Sequence, residues 1–206
     1  MLNITRVLNK LTLLLSVFLV LSCGPSQEVN RISTDRTTDL SGKWNDTDAR
    51  LVADEMISNV TSSPWLERFL SDKDKRPAVI VGNIVNSSME HIDTEVFTKE
   101  LEKAFVNSGN VRVVASSEER QQLREERLEQ QSFASYESAK ALAKELGADF
   151  MLIGNINSIY DEAVDQKEVA VFYKVNLELV NVETNEKAWI NSKEIKKFIE
   201  RKRFKG

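Results

Sequence analysis

Few side chains in this 206-residue chain could do chemistry. There is one cysteine, Cys23, and one histidine, His91. A single thiol excludes a disulfide framework and a cysteine-based zinc site. A single imidazole leaves His-rich metal sites and most acid–base relays without their parts. The glycines are scattered, and neither phosphate-cradling pattern, GxxxxGK or GxGxxG, occurs. Carboxylates adjoin at Glu118-Glu119 and Glu125-Glu126. A glycoside hydrolase would need such groups across a cleft, but on a strongly polar helix the same pairs are a solvated face. His91 lies in the polar stretch Asn86-Ser87-Ser88-Met89-Glu90-His91, where an imidazole is usually solvated. These residues predict no catalytic site, no cofactor, no metal and no small-molecule substrate.

Cys23 is different because of what precedes it. Arg6 and Lys10 are followed by the apolar run Leu11-Thr12-Leu13-Leu14-Leu15-Ser16-Val17-Phe18-Leu19-Val20-Leu21. At about eleven residues it is shorter than the ~20 a membrane-spanning helix needs. A basic start and a short apolar core read as a secretory signal peptide over residues 1–22. The run ends at Val20-Leu21-Ser22-Cys23-Gly24, which resembles a bacterial lipobox. That resemblance implies cleavage before Cys23, diacylation of its thiol and acylation of the new amine. Several acyl chains anchor stably where one would be marginal. Gly24, which is not Asp, implies outer-membrane sorting under the enteric rule.

Loss of Arg6 and Lys10 with the leader takes the basic count from 28 to 26 against 32 acidic residues, a mature net charge of −6. Nucleic-acid binding therefore has no global electrostatic support. The tail from Lys196 to Lys205 is basic and reads as a frayed, solvated end or, less readily, a contact for an anionic polymer or lipid. Three Asn-x-Ser/Thr matches, at Asn45, Asn59 and Asn86, are chance occurrences in this setting. Trp44, Trp65 and Trp189 are core residues by default, with partner binding as the other use of so large an apolar group.

The elements follow from periodicity. Residues 23–40 read as a lipid-anchored tether reaching about 50–55 Å if extended, and residues 41–206 as one globular domain. Ala49, Val52, Ala53, Met56, Ile57 and Val60 form one helical stripe behind Asn45-Asp46. Ser63-Pro64 opens a short helix carrying Trp65, Leu66, Phe69 and Leu70. Residues 78–85 read as a buried strand, and Asp93 caps a helix whose apolar positions are Val96, Phe97, Leu101, Ala104 and Phe105. A short strand at 111–114 leads to the capping box Ser116-x-x-Glu119, a polar helix and a further helix over Tyr136–Leu146. Residues 150–154 form the third strand. From Val169 to Val180 apolar and other residues alternate with period two, and a turn at 183–186 leads to a return strand from Lys187. The reading is a single-domain α/β sandwich: a mixed sheet in the order β-α-β-α-α-β-β-β, a C-terminal antiparallel hairpin and two leading helices.

Three stretches carry a family resemblance. They are Leu40-Ser41-Gly42-Lys43-Trp44-Asn45-Asp46-Thr47-Asp48, residues 143–156 (AKELGADFMLIGNI) and residues 177–189 (LELVNVETNEKAW). They resemble the LpoB family of outer-membrane lipoproteins, activators of penicillin-binding proteins, over about residues 39–198. The Leu146-Gly147-Ala148 element is shared with CsgG-type secretion lipoproteins and TolB-like N-terminal domains. The resemblance implies a non-catalytic regulator of peptidoglycan synthesis on the periplasmic face of the outer membrane, held there by lipid on Cys23. Its partner would be a class A penicillin-binding protein, with Trp44, Met89 and His91 as candidate contacts; the loop around Met89-Glu90-His91, the loop around Asp161–Lys167 and the polar helix from Glu118 are candidate surfaces without ranking. Enteric members have a long Pro-rich tether, whereas residues 24–40 contain only Pro25. The alternative is an envelope assembly or secretion component of the CsgG type. It would need residues 86–92 and 157–168 to leave the domain as membrane strands, and both are short. A hydrolase using Glu118 or Glu125 is a third reading.

Overall fold

A computed structural model describes residues 28–34, 36–116, 119–126 and 147–201. The signal peptide, Cys23, Glu118 and the helix expected at Tyr136–Leu146 lie outside the described residues. Before Thr37 the described residues form neither helix nor strand. The unit from Thr37 onward is a five-stranded mixed sheet with helices on its core face.

Helix α1 (Asp46–Thr61) begins where expected. The Asn45 side chain accepts from the Asp48 amide at 3.1 Å, and the Asp48 carboxylate accepts from the Asn45 amide at 3.0 Å. This reciprocal cap satisfies two backbone donors that a helix start leaves open. All six residues of the apolar stripe are buried. Helix α2 (Pro64–Lys73) has Pro at its first position and stops at Asp74, whose φ is 47°. Trp65 Nε1 donates to the Val60 carbonyl at 2.7 Å, and the Trp65 and Phe69 rings pack edge-on against Phe150.

Strand β1 (Ala78–Ser87) leads to helix α3 (Thr94–Ser108), which Asp93 caps by accepting from the Glu95 amide at 3.0 Å. Of the apolar positions, Phe97, Leu101 and Phe105 are buried and Val96 is exposed. The stripe is narrower than the sequence suggests: positions 97, 101 and 105 use the single face that meets the sheet and α1. Strand β2 is only Arg112–Val113, shorter than expected. The capping box forms, with Glu119 accepting from the Ser116 amide at 2.9 Å and Ser116 Oγ from the Glu119 amide at 3.3 Å, and helix follows over residues 119–126.

Strands β3 (Phe150–Glu162), β4 (Glu168–Asn181) and β5 (Lys187–Glu200) complete the sheet in the order β2-β1-β3-β4-β5. β1 is parallel to β2 and β3, and β4 is antiparallel to both its neighbours. The alternation read in β4 holds: Val169, Val171, Tyr173, Val175, Leu177 and Leu179 are all buried. Two boundaries differ. β3 runs eight residues beyond Gly154, paired in unbroken register with β4 from Phe150↔Asn181 to Glu162↔Val169. β5 takes in Lys196, Lys197 and Phe198, so this part of the basic tail is strand and not a frayed end. Residues 157–168 accordingly stay in the sheet as the end of β3, a turn and the start of β4. Among the described residues no helix is long and apolar enough to cross a membrane.

Candidate functional site

The segment from Asp39 to Trp44 is laid across the core face at the end of the sheet and fastened there by non-local bonds. Gly42 takes φ 70°, a conformation disfavoured for other residues, and a Cβ at this position would collide with the Ile199 side chain. Lys197, on β5, donates to Asp39 at 2.6 Å, to Asp48 at 2.5 Å and to the Lys43 carbonyl at 2.9 Å. The Lys197 and Asp48 side chains are only 10% and 8% exposed. The Lys197 ammonium holds the Asp39 carboxyl below its ordinary range.

Trp44 follows. Its ring stands edge-on to Phe97 at 5.9 Å and to Tyr173 at 5.7 Å. Its backbone amide donates to Glu90 Oε2 at 3.2 Å, and the Tyr173 hydroxyl donates to Glu90 Oε1 at 2.6 Å. Burial, and then the Glu90 carboxylate, push the Tyr173 phenol up from its ordinary value. Trp44 is thus half-buried and directed inward. Of the three candidate contacts, it is the one the structure uses for packing.

The other two flank Glu90 and point outward. Asn86 Nδ2 donates to the Glu90 carbonyl at 2.8 Å, and the Met89 amide donates to Ser158 Oγ on β3 at 3.0 Å. These bonds close the turn after β1 and leave Met89 76% exposed and His91 exposed. Trp44, Met89 and His91 therefore meet at one end of the sheet through Glu90, with Trp44 supporting from inside.

The carboxylate pairs have other duties. Glu119 accepts from Lys99 at 2.7 Å as well as capping its helix, and these bonds, Lys99 first, hold its carboxyl low. Lys99 also donates to Glu102 at 2.8 Å, and its own pKa is raised by the two acids. They border a cleft of about 620 Å³ lined also by Gly82, Asn83, Thr94 and Glu95. An ionised Glu119 has no proton to give as a general acid near neutrality. Glu125 is exposed and accepts from Gln121 at 3.4 Å.

One feature escaped the sequence reading. On the sheet face opposite the core, Ile159 of β3 is 63% exposed and Phe198 of β5 is 66% exposed, with half-buried Phe172 of β4 in register with Ile159. The alternation in β4 announces its buried face. That Phe172 has exposed apolar neighbours becomes visible only once β3 and β5 are known to extend this far.

A family model described as the peptidoglycan-synthase activator LpoB matches residues 48–195. No curated protein matches the chain. Solved structures similar to it include the LpoB C-terminal domain of Salmonella enterica, at 18% identity over 72% of this chain and 98% of that one, TM-score 0.42. The Escherichia coli domain is similar at 17% identity and the same coverage and TM-score. The NMR structure of E. coli LpoB is similar at 16% identity over 86% of this chain and 82% of that one, TM-score 0.41. With most of its length matched by the family model, the chain belongs to the LpoB family of peptidoglycan-synthase activators.

Proposed function

We propose that the protein is a non-catalytic lipoprotein that binds a class A penicillin-binding protein and favours its active state. Cleavage before Cys23 and acylation there would hold it on the periplasmic face of the outer membrane. The family match over residues 48–195 carries this reading. The geometry agrees with it, because Glu119 is tied to Lys99 and Ser116 and the surface at Met89 and His91 is open. A binder activates by preferring one state of its partner: the shift it can produce is set by its differential affinity, and it needs no chemistry of its own. Met89 and His91 would touch the synthase, while Trp44 would hold their turn in place.

The test is glycan-chain polymerisation by the purified class A synthase of the same organism, with and without the mature protein. Stimulation that saturates with the lipoprotein, and a complex of the two on sedimentation, are expected. No complex and no stimulation would overturn the proposal. Capture of a secretion apparatus or ring-forming oligomers after in-cell crosslinking would favour the assembly reading.

A further inference from the structure

We propose that the outer face at the far end of β3–β4–β5 is the docking surface for the synthase, and that it receives an apolar side chain flanked by Lys or Arg. This inference rests on the synthase-binding reading above.

Three observations carry it. The first is the apolar island. Strand register sets Ile159 beside Phe172, and sets Ala170 beside Phe198 one row further on. The two outer members are the ones most open to solvent. Further along the same face of β4 come Lys174, Asn176 and Glu178, as a wetted sheet face requires. The apolar group is therefore a local departure, and clustered exposed apolar residues of this kind mark binding sites.

The second is the charge around the island. Glu168 and Glu200 stand directly opposite each other across β4 and β5, a destabilising like-charge pair. Asp161 adds a third carboxylate, in register with Ala170. The cations close by are already engaged: Lys167 with Asp165, Arg201 with Glu162, Lys174 with Glu194 and Lys197 with Asp39 and Asp48. Lys196, in register with Phe172, is the cation left on this face among the described residues, and among them acid predominates. An apolar floor with an acidic rim suits a basic, apolar-anchored segment and repels an anionic one.

The third is nearness, at one end of the sheet, to the other candidate contacts. β1 ends at Ser87, so from Ser158 onward β3 has no paired strand on that side among the described residues, and the Met89 amide donates to Ser158 Oγ. Met89 and Ile159 thus sit at the same end of the sheet, Met89 tied to the core side of β3 and Ile159 on its outer face.

The test uses the whole mature chain and the purified synthase. Ile159→Ser/Phe198→Ser should weaken binding by about tenfold or more, as loss of central apolar anchors does, with an unchanged thermal transition. Glu168→Gln/Glu200→Gln should weaken binding and flatten its dependence on salt. Wild-type affinity in the double serine variant would overturn the docking face while leaving the synthase reading standing. Tighter binding by the glutamine variant would overturn the basic occupant. Self-association lost in the serine variant, with synthase binding intact, would assign the face to a second copy and overturn the proposal. If the wild-type chain itself fails to bind the synthase, the functional reading fails first.

Discussion

The Glu90 carboxylate accepts the Tyr173 hydroxyl at 2.6 Å on one oxygen and the Trp44 amide on the other. It joins three places far apart in the chain: the segment before α1, the turn after β1 and the middle of β4. Tyr173 is fully buried, so its hydroxyl has no water to fall back on. A hydrogen bond to a charged group is worth more than one between neutral groups. Tyr173→Phe should therefore lower stability by about 1.5–3 kcal/mol, read as a lower urea midpoint with an unchanged slope. Glu90→Leu should cost more, because it orphans both donors.

The same pair sets an alkaline limit. The Tyr173 pKa is raised in the folded state above its ordinary value of 10.0. The folded protein thus keeps a proton that the unfolded chain releases. The stabilisation is complete below about pH 10 and drains away as pH climbs from there through the folded value. Urea midpoints taken from pH 8 to pH 11 should fall for the wild type, and the Tyr173→Phe variant should fall less steeply. Equal slopes would mean that burial and Glu90 do not keep the phenol protonated in the folded state.

Lys197 makes a sharper prediction. Removing one partner of a buried ion cluster leaves the others uncompensated, at a cost of about 3–5 kcal/mol. Lys197→Met should destabilise by that order, because Asp48 stays buried beside it. Adding Asp39→Asn and Asp48→Asn should recover part of the loss, since the charges then disappear together. Asp39 also gives the acid side of the stability profile. Its folded pKa is lowered, so its contribution is present above about pH 4 and is lost as pH falls through the folded value. The Lys197→Met variant should show a shallower loss of stability between pH 5 and pH 3.

These two clusters also show where sequence reasoning stops. The α1 stripe and its Asn45 cap were legible because every partner lies within one or two turns. The buried face of β4 was legible because period two needs no knowledge of neighbours. Lys197 sits in a basic run that reads as a solvated tail, and its acidic partners are 158 and 149 positions away. The extension of β3 was hidden for a related reason. Beyond Gly154 its core-facing positions are Ile156, Ser158 and Tyr160, so the apolar signal fades although pairing with β4 continues. Trp44 stands out in the sequence by its size and by its place in the family-like stretch Leu40–Asp48, neither of which gives its direction. Phe97 and Tyr173, which decide that it points inward, lie on distant elements.

Anchoring can be tested without reference to any partner. Cys23→Ser removes the thiol that the lipobox reading requires for acylation. The variant should lose incorporation of labelled fatty acid and leave the acylated membrane fraction. Persistence there with the label intact would remove the lipoprotein reading.

The final prediction separates support from contact at the end of the sheet. Trp44 packs against Phe97 and Tyr173, so Trp44→Ala opens a cavity and should cost about 3 kcal/mol or more. Any loss of synthase stimulation in this variant should track its melting curve and recover on cooling or in Trp44→Phe. Met89→Ser and His91→Ala alter exposed side chains, and such surface changes usually stay within about 0.5 kcal/mol. Together they should lower stimulation of the class A synthase by several-fold with the melting temperature unchanged. Met89 and His91 variants that stimulate fully would confine recognition to other surfaces, and a Trp44→Phe variant that is stable but inactive would make Trp44 a contact in its own right.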